Sequence, residues 1–228
     1  MSRGNASQAA EVNARLGAQY PEARCELDFT TPFELLVATV LSAQSTDRRV
    51  NSVTRELFAS HPDASALASA DREEIERIIG PVGFFRNKAT AIIGLSRRVV
   101  DDFDGEVPAT LDELVALPGV GRKTANVVLG DAFGVPGITP DTHLIRLSNR
   151  LGWVASTKPD VVEREVGELF HPSDWVVLNH RIIWHGRRRC HARKPACGAC
   201  VVADLCPAYG EGETDPVKAQ ALVREPRS

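Results

Sequence analysis

Residues 117–126 read LPGVGRKTAN and lie between two stretches in which apolar residues recur at helical spacing. Gly119 and Gly121 flank Val120 in this segment. Glycine lets the backbone turn sharply and lets its N–H groups approach a ligand closely. The first amides of the following helix are unpaired and lie at the positive end of its dipole, where phosphate binds well. The segment therefore predicts a turn between two helices that grips an anion through its backbone.

Lys123 lies two positions after the second glycine, in the first turn of the second helix. The field at a helix N-terminus disfavours an ammonium ion, and a lysine that is partly neutral can act as a nucleophile. Lys123 is therefore a candidate catalytic amine. The alternative is a lysine that binds phosphate or is simply solvated.

Helical periodicity continues along almost the whole chain, and no alternating run is bounded by hairpin turns. Asp71 with Glu74 and Thr110 with Glu113 resemble capping boxes at two helix starts. The sequence predicts an all-α fold. The expected helices cover residues 9–20, 32–43, 45–59, 71–80, 85–101, 122–133, 142–151, 159–170 and 174–188, and a further helix, the first of the hairpin, starts at Thr110.

The 228 residues are enough for one large domain or two small ones, and their formal net charge is −3. No apolar run reaches the length of a membrane span, and the N-terminus has no apolar signal region. We therefore expect a soluble, cytoplasmic protein that has no membrane partner.

Basic residues dominate the stretch from Trp175 to Ala203, which contains no Asp or Glu. Such a one-sided basic segment is typical of a nucleic-acid-binding face, and the alternative is a solvated helix end. The basic residues of this stretch are Arg181, Arg187, Arg188, Arg189, Arg193 and Lys194.

Four of the five cysteines crowd together with the spacing C-x6-C-x2-C-x5-C. They are Cys190, Cys197, Cys200 and Cys206. Structural zinc sites more often use two short facing pairs, whereas a [4Fe–4S] cluster suits uneven spacing. The pattern favours the cluster, with zinc and then a disulfide as alternatives. Cys25 is far away in the sequence, and we expect it to be a buried free thiol.

The loop between the first two of these cysteines, residues 191–196, is short and basic. A metal-bound cysteine at each end would make it a rigid finger. Arg193 and Lys194 are therefore candidate contacts to DNA phosphates.

Asp141 follows a Gly/Pro-rich break at residues 134–140, which we interpret as a crossing between domains. Aspartate is a favoured N-cap residue, so Asp141 could simply begin the next helix. It could also act with Lys123, because a carboxylate beside an amine can move a proton and stabilise a cationic sugar. The two roles are compatible, since a carboxylate has two oxygens.

Three features together resemble endonuclease III, in the helix–hairpin–helix DNA glycosylase superfamily. They are the segment 117–126, the triplet Asp141-Thr142-His143 and the four-cysteine spacing. The resemblance runs from about Ala9 to Cys206 and implies two helical lobes, with DNA in a cleft between them.

The resemblance also implies domain boundaries. Residues 26–135 would form a six-helix barrel domain whose helix–hairpin–helix covers 117–133. Residues 1–25 and 136–207 would form the iron–sulfur domain. The charged remainder, 208–228, has few large apolar residues and predicts a flexible tail.

The activity implied by the resemblance is bifunctional. Such an enzyme removes oxidised or ring-saturated pyrimidines from double-stranded DNA and then cleaves the strand at the abasic site. Lys123 matches the nucleophile and Asp141 the catalytic aspartate. Gln44 matches the residue that fills the gap left by the extruded nucleotide, and Phe84 is at the wedge position. Further candidate DNA contacts are Gly119, Val120, Gly121, His143, Arg193 and Lys194.

Two residues depart from the pattern of relatives. Phe84 is found where leucine is common, and an aromatic ring could still stack into an opened base step. Pro140 precedes Asp141 where a β-branched residue is more usual.

Two other functions fit part of the pattern. A monofunctional glycosylase for adenine or mismatched thymine would share the hairpin and cysteines but generally lacks lysine at position 123. A non-catalytic DNA-binding iron–sulfur protein would not nick DNA. We expect a monomer that associates with the nucleoid.

Overall fold

The computed structural model describes residues 6–224, and within that range the regular structure consists of helices. The predicted all-α class is confirmed. The α-helices are α1 Ala6–Gln19, α2 Pro32–Ser42, α3 Asp47–Ser60, α4 Ala64–Ala68, α5 Arg72–Ile79, α6 Phe85–Phe103, α7 Leu111–Val115, α8 Arg122–Phe133, α9 Thr142–Arg150, α10 Pro159–Gly167, α11 Trp175–Arg188 and α12 Pro216–Gln220. Short 3₁₀ turns occur at Pro172–Asp174, Cys197–Ala199 and Ala203–Leu205.

The helix starts follow their capping residues. Thr31, Asp71 and Thr110 each accept a hydrogen bond from a backbone amide in the first turn of the helix that follows. Helix α4 was not predicted, because five residues are too few to show a helical period and no capping box marks its start, unlike that of α7. Its start is marked by Asp63, whose side chain accepts from the amide of Ala66 at 2.8 Å.

The chain divides into two compact units. We call Cys25–Val135 the hairpin unit, and Met1–Arg24 with Pro136–Ser228 the cysteine unit, of which residues 6–24 and 136–224 are described. The hairpin unit contains helices α2 to α8.

Helix α2 forms the centre of the hairpin unit. Its residues from Phe33 to Leu41 are apolar apart from Glu34 and Thr39, and nearly all are buried. A helix that is apolar all round is stable only when neighbours cover every face. Helices α3, α6 and α8 pack against it and provide that cover.

The cysteine unit has a separate core, in which α11 packs against α1 and α9. Trp153 is buried and meets Phe170 edge to face, with ring centroids 5.2 Å apart. The Trp153 indole N–H donates to Gln8 Oε1 at 2.8 Å, which ties α1 to this core. Residues from both ends of the chain thus build one core.

The expected flexible tail is not what the structure shows up to residue 224. The amide of Glu213 donates to the carbonyl of Pro195 at 3.0 Å, and the amide of Gly198 donates to the carbonyl of Glu213 at 2.9 Å. Ala219 of α12 is fully buried. This packing could not be predicted from the sequence, because the segment bonds to backbone groups of Pro195 and Gly198, in the loop that carries the cysteines. Residues 225–228 lie outside the described residues.

The longest helix, α6, has 19 residues. No helix among residues 6–224 is both long enough and apolar enough to cross a bilayer.

Candidate functional site

The turn between α7 and α8 is held by its own packing. Gly119 has φ +76°, a conformation that favours glycine, and a Cβ there would lie 2.8 Å from Cβ of Ala91. The amide of Val120 donates to the carbonyl of Leu117 at 3.1 Å, and the Val120 side chain is buried. Val120 therefore anchors the turn, and its amide is already used inside it.

Gly121 presents a different environment. It is exposed and forms the N-cap of α8 without a side-chain hydrogen bond, and an added Cβ would meet no atom within 4 Å. The backbone is therefore open to a ligand here. The anion grip expected for the turn then depends on Gly119, Gly121 and the first amides of α8.

Lys123 is the second residue of α8 and is exposed. No acidic residue occurs in the first turn of α8. The amine thus lies at the positive end of a helix, next to the open backbone of Gly121. Lys123 belongs to the hairpin unit and Asp141 to the cysteine unit.

Asp141 caps α9. Its Oδ1 accepts from the amides of His143 at 2.9 Å and Leu144 at 2.7 Å. Such a cap contributes about 1 kcal/mol. Both bonds go to Oδ1, so the cap does not require Oδ2. The side chain is half-buried.

Helix α11 fixes the segment that leads into Asp141. The amide of Thr139 donates to Asn179 Oδ1 at 3.1 Å, and Asn179 Nδ2 donates to the carbonyl of Gly137 at 2.8 Å. The backbone before Asp141 is therefore held by a buried amide side chain.

His143 is half-buried and packs at the contact between α9 and α11. Its Nδ1 lies 3.1 Å from Arg146 Nη2, and a Cβ at Gly186 would lie 2.4 Å from the same nitrogen. The side chain therefore has a packing role in the cysteine unit, besides the DNA contact expected from the sequence.

Gln44 and Phe84 share an uncommon backbone conformation. Their φ angles are +56° and +58°, in the left-handed region that non-glycine residues rarely adopt. Both are exposed, and 65% of the surface of Phe84 is accessible. Strained residues of this kind cluster at functional sites.

Lys88 is a polar residue of the hairpin unit that our sequence reasoning missed. Its side chain is buried on the core face of α6, and its Nζ donates to Ser45 Oγ at 3.1 Å. Burial lowers the pKa of the Lys88 ammonium. A signal was present, because Lys88 comes four residues before Ile92 and one before Ala89 on the apolar face of α6.

The four cysteines of the cluster motif line one cavity in the cysteine unit. All four are free thiols. Among the described residues, no three His, Cys, Asp or Glu side chains are grouped closely enough to hold a single metal ion. Thiols spaced around a cavity suit a cube of iron and sulfur. The cavity is lined by Arg150, Arg189, Cys190, Pro195, Ala196, Cys197, Cys200, Ala203, Cys206, Ala208 and Tyr209.

Burial raises the pKa of the Cys190 and Cys206 thiols and raises that of Cys200 to about 12. Metal ligation requires thiolates, so the bound iron must stabilise the ionised form. Positive groups are available to balance that charge. Arg150 Nη1 donates to Cys190 Sγ at 3.3 Å.

Two further side chains contact the cysteine segment. His185 Nε2 lies 3.5 Å from Cys200 Sγ, and burial lowers the pKa of this imidazole to about 3, so the ring is neutral. Arg146 Nη2 donates to the carbonyl of Cys190 at 2.9 Å. The expected ligands therefore have supporting hydrogen bonds, as metal sites require.

The expected basic face is smaller than the sequence indicated. Arg188 is buried with its guanidinium 3.7 Å from the centre of the Trp184 ring, and Arg189 Nη1 donates to the Tyr20 hydroxyl at 2.9 Å. Arg181 is only half-exposed. Contacts with the Trp184 and Tyr20 rings keep the charges of Arg188 and Arg189 inside the cysteine unit.

Arg193 and Lys194, in contrast, are exposed on the loop between the first two cysteines. Arg150 holds this loop, because its Nη1 donates to the carbonyl of His191 at 2.7 Å and its Nη2 to that of Ala192 at 3.3 Å. The two basic side chains are thus presented to solvent by a fixed backbone.

Comparison with family models gives two matches. Residues 37–172 match the HhH-GPD superfamily base excision DNA repair protein, and residues 190–206 match the iron–sulfur binding domain of endonuclease III. The fold and the site thus define a helix–hairpin–helix protein of base excision DNA repair.

Individual relatives identify the family within this superfamily. Endonuclease III of Synechocystis is 55% identical over 201 residues, which cover 88% of this chain and 92% of the relative. Endonuclease III of Escherichia coli K12 is 41% identical over 202 residues, covering 89% and 96%. The chain belongs to the endonuclease III family.

Solved structures agree with this assignment. A trapped endonuclease III–DNA covalent intermediate matches with a TM-score of 0.86 and 41% identity over 90% of this chain and 96% of that one. A thermostable thymine-DNA glycosylase shares the fold, with a TM-score of 0.80 at 22% identity. The chain is a DNA glycosylase and AP lyase that carries a [4Fe–4S] cluster.

Proposed function

We propose that this enzyme removes oxidised or ring-saturated pyrimidines from duplex DNA and then cleaves the strand 3′ to the resulting abasic site. The observation that carries the proposal is the exposed amine of Lys123 beside the open backbone of Gly121. Among the candidate functions, only the bifunctional glycosylase requires a nucleophilic amine at that position.

In the proposed reaction, Lys123 Nζ attacks C1′ of the damaged nucleotide, and the base leaves with the electron pair of the glycosidic bond. The C1′–O4′ bond of the resulting adduct then breaks, O4′ takes up a proton, and the Lys123 nitrogen and C1′ become a Schiff base. The positive imine acidifies the C2′ proton, and its removal expels the 3′ phosphate by β-elimination. Water then hydrolyses the imine and releases Lys123.

Asp141 is the proposed carboxylate partner of this amine. Its charge would stabilise the cationic sugar, and it would take a proton from the Lys123 ammonium, so that the neutral amine can attack. The capping bonds to Oδ1 would keep the carboxylate fixed, and Oδ2 would perform the chemistry.

The damaged nucleotide must leave the duplex before it can react. We propose that Gln44 and Phe84 occupy the space it vacates. The amides of Gly119 and Gly121, with Val120 as the anchor of their turn, would bind the phosphate backbone. His143, Arg193 and Lys194 are further proposed DNA contacts.

We propose Cys190, Cys197, Cys200 and Cys206 as the ligands of the [4Fe–4S] cluster. Bound there, the cluster would supply a rigid covalent cross-link for the basic loop. We further propose that residues 26–135 form the barrel domain and residues 1–25 with 136–207 the iron–sulfur domain. The enzyme would act as a monomer on nucleoid DNA in the cytoplasm.

Incision of two duplexes tests this function. One duplex contains thymine glycol and the other a preformed abasic site. We expect wild-type enzyme to incise both and Lys123→Ala to incise neither, because both cleavages pass through the Schiff base. Lys158→Ala, which removes another exposed lysine, is the control and should match wild type. Base release without strand cleavage by the wild-type enzyme would instead identify a monofunctional glycosylase.

A further inference from the structure

Lys88 connects the turns that carry Gln44 and Phe84. Its backbone amide donates to the carbonyl of Phe84 at 3.1 Å, and its ammonium donates to Ser45 Oγ at 3.1 Å. Ser45 directly follows Gln44. One residue of α6 is therefore bonded to both turns.

Both turns have a strained residue at the exposed position. Gln44 and Phe84 have positive φ, and Phe84 begins α6 without a side-chain cap. A left-handed non-glycine residue keeps its conformation only when the surroundings hold it. The backbone bond to Phe84 is the first helical bond of α6 and would form with other residues, whereas the side-chain bond to Ser45 is specific to Lys88 and links the Gln44 turn to the helix that Phe84 begins.

The core of the hairpin unit does not need a cation at this position. Lys88 is buried on a face that continues with Ala89 and Ile92, and its hydrogen-bond partner Ser45 carries no charge. Burial penalises the charged form of Lys88 and lowers its pKa. An apolar side chain of similar length would fill the same space without that penalty.

We propose that Lys88 is a positioning residue, which sets the Gln44 turn relative to the Phe84 turn so that both side chains enter the duplex together. This inference rests on the proposed function, in which Gln44 and Phe84 fill the vacated space. This role explains why the fold keeps Lys88 as a buried cation, although its burial lowers the stability of the protein.

The test is Lys88→Met, which keeps the length of the side chain and removes the charge. We expect its melting temperature to be equal to or above that of wild type. We expect single-turnover excision of thymine glycol to fall about tenfold or more, because a misplaced group near the reacting centre has large effects. Cleavage of a preformed abasic site should fall by less than about threefold, because a nucleotide without a base is easier to extrude.

A fluorescent duplex gives a second readout. In it, 2-aminopurine is placed opposite a tetrahydrofuran abasic analogue, so that its fluorescence rises when side chains displace it from the stack. We expect a clear rise with wild-type enzyme and a smaller rise with Lys88→Met at saturating protein. Ser45→Ala removes the acceptor of the same hydrogen bond and should reduce the rise in the same way, even if Lys88→Met does not fold.

Arg98→Met is the matched control. It removes a charge from the exposed face of the same helix and should behave like wild type in both assays. A lower melting temperature of Lys88→Met, with equal losses in excision and abasic-site cleavage, would show a structural role and overturn the inference. Wild-type rates in both Lys88→Met and Ser45→Ala would also overturn it. Failure of the wild-type enzyme to act on either duplex would overturn the proposed function instead.

Discussion

Single residues in this chain serve stability and chemistry together, and Asp141 is the clearest case. The sequence left open whether it caps a helix or takes part in catalysis. The structure establishes the cap through Oδ1 and leaves the catalytic role as a proposal. The sequence could place Asp141 at a helix start because capping is local. It could not show that Asn179 of α11, 38 residues further along, secures the backbone before it.

We predict that Asp141→Asn separates the two roles. Asparagine is a good N-cap, so the melting temperature should stay close to that of wild type. An amide cannot take up the proton or balance a cationic sugar, so base excision should fall by about 100-fold or more. Thermal melting and single-turnover excision measure the two effects. Asp141→Ala is the comparison and should lose about 1 kcal/mol of stability as well. Wild-type excision by Asp141→Asn would leave Asp141 with the cap alone.

The two glycines of the hairpin turn should also respond differently. Gly119→Ala places a Cβ 2.8 Å from that of Ala91 at φ +76°, so we predict a loss of about 1–3 kcal/mol in the free energy of unfolding. Gly121→Ala meets no atom and should leave stability nearly unchanged. It should weaken DNA binding, because its methyl group occupies the open backbone surface. Chemical denaturation and DNA titration distinguish the two variants. Equal stability losses would contradict the packing seen at Gly119.

At the scale of helices, much of the fold could be predicted from the sequence. Helix α8 begins and ends where expected, because its start follows Gly121 and its end precedes Gly134 at φ +67°. Helices α4 and α12 were missed, since each has five residues and lacks the capping box that marks the equally short α7. The predicted extent of the basic face was also wrong, because a count of charges along the sequence cannot show that Arg188 stacks on Trp184.

The contact between α9 and α11 depends on Gly186. A Cβ at this position would lie 2.4 Å from His143 Nδ1 and 2.9 Å from Arg146 Nη2. We predict that Gly186→Ala costs about 1–3 kcal/mol by overpacking. It should also slow base excision, because Asp141 begins α9.

Gly94→Ala is the control for this substitution. A Cβ in the middle of α6 meets Pro118 at an ordinary 3.5 Å, so this change should stabilise the protein by about 0.5–1 kcal/mol. Thermal unfolding of the two variants makes the comparison. Equal stability of Gly186→Ala and wild type would show that the His143 and Arg146 side chains can move aside at no cost.

At the scale of the whole molecule, each unit supplies a different part of the proposed function. The hairpin unit carries Lys123, Gln44 and Phe84, and the cysteine unit carries Asp141 and the cysteine cavity. The C-terminal segment, residues 211–224, also belongs to the cysteine unit. It packs on the loop that carries the cysteines through backbone bonds of Glu213 with Pro195 and Gly198.

We predict that ending the chain after Gly210 weakens retention of the cluster. The truncation removes the hydrogen bonds of Glu213 and the ion pair in which Arg150 Nε lies 3.0 Å from Glu211. The visible absorbance of the cluster should then decay faster in the presence of a chelator. Val217→Ala changes a side chain that is 81% exposed and should decay like wild type. An unchanged decay in the truncated protein would show that the segment does not protect the site.

The proposed mechanism depends on Lys123 as the nucleophile, and mapping of the covalent adduct identifies the residue that attacks. The enzyme is mixed with duplex DNA containing thymine glycol, reduced with borohydride, digested and analysed by mass spectrometry. We predict that the sugar adduct is found on Lys123, in the peptide that begins the helix after the hairpin turn. An adduct on another lysine or on the N-terminal amine, formed at the wild-type rate, would show that Lys123 is not the nucleophile.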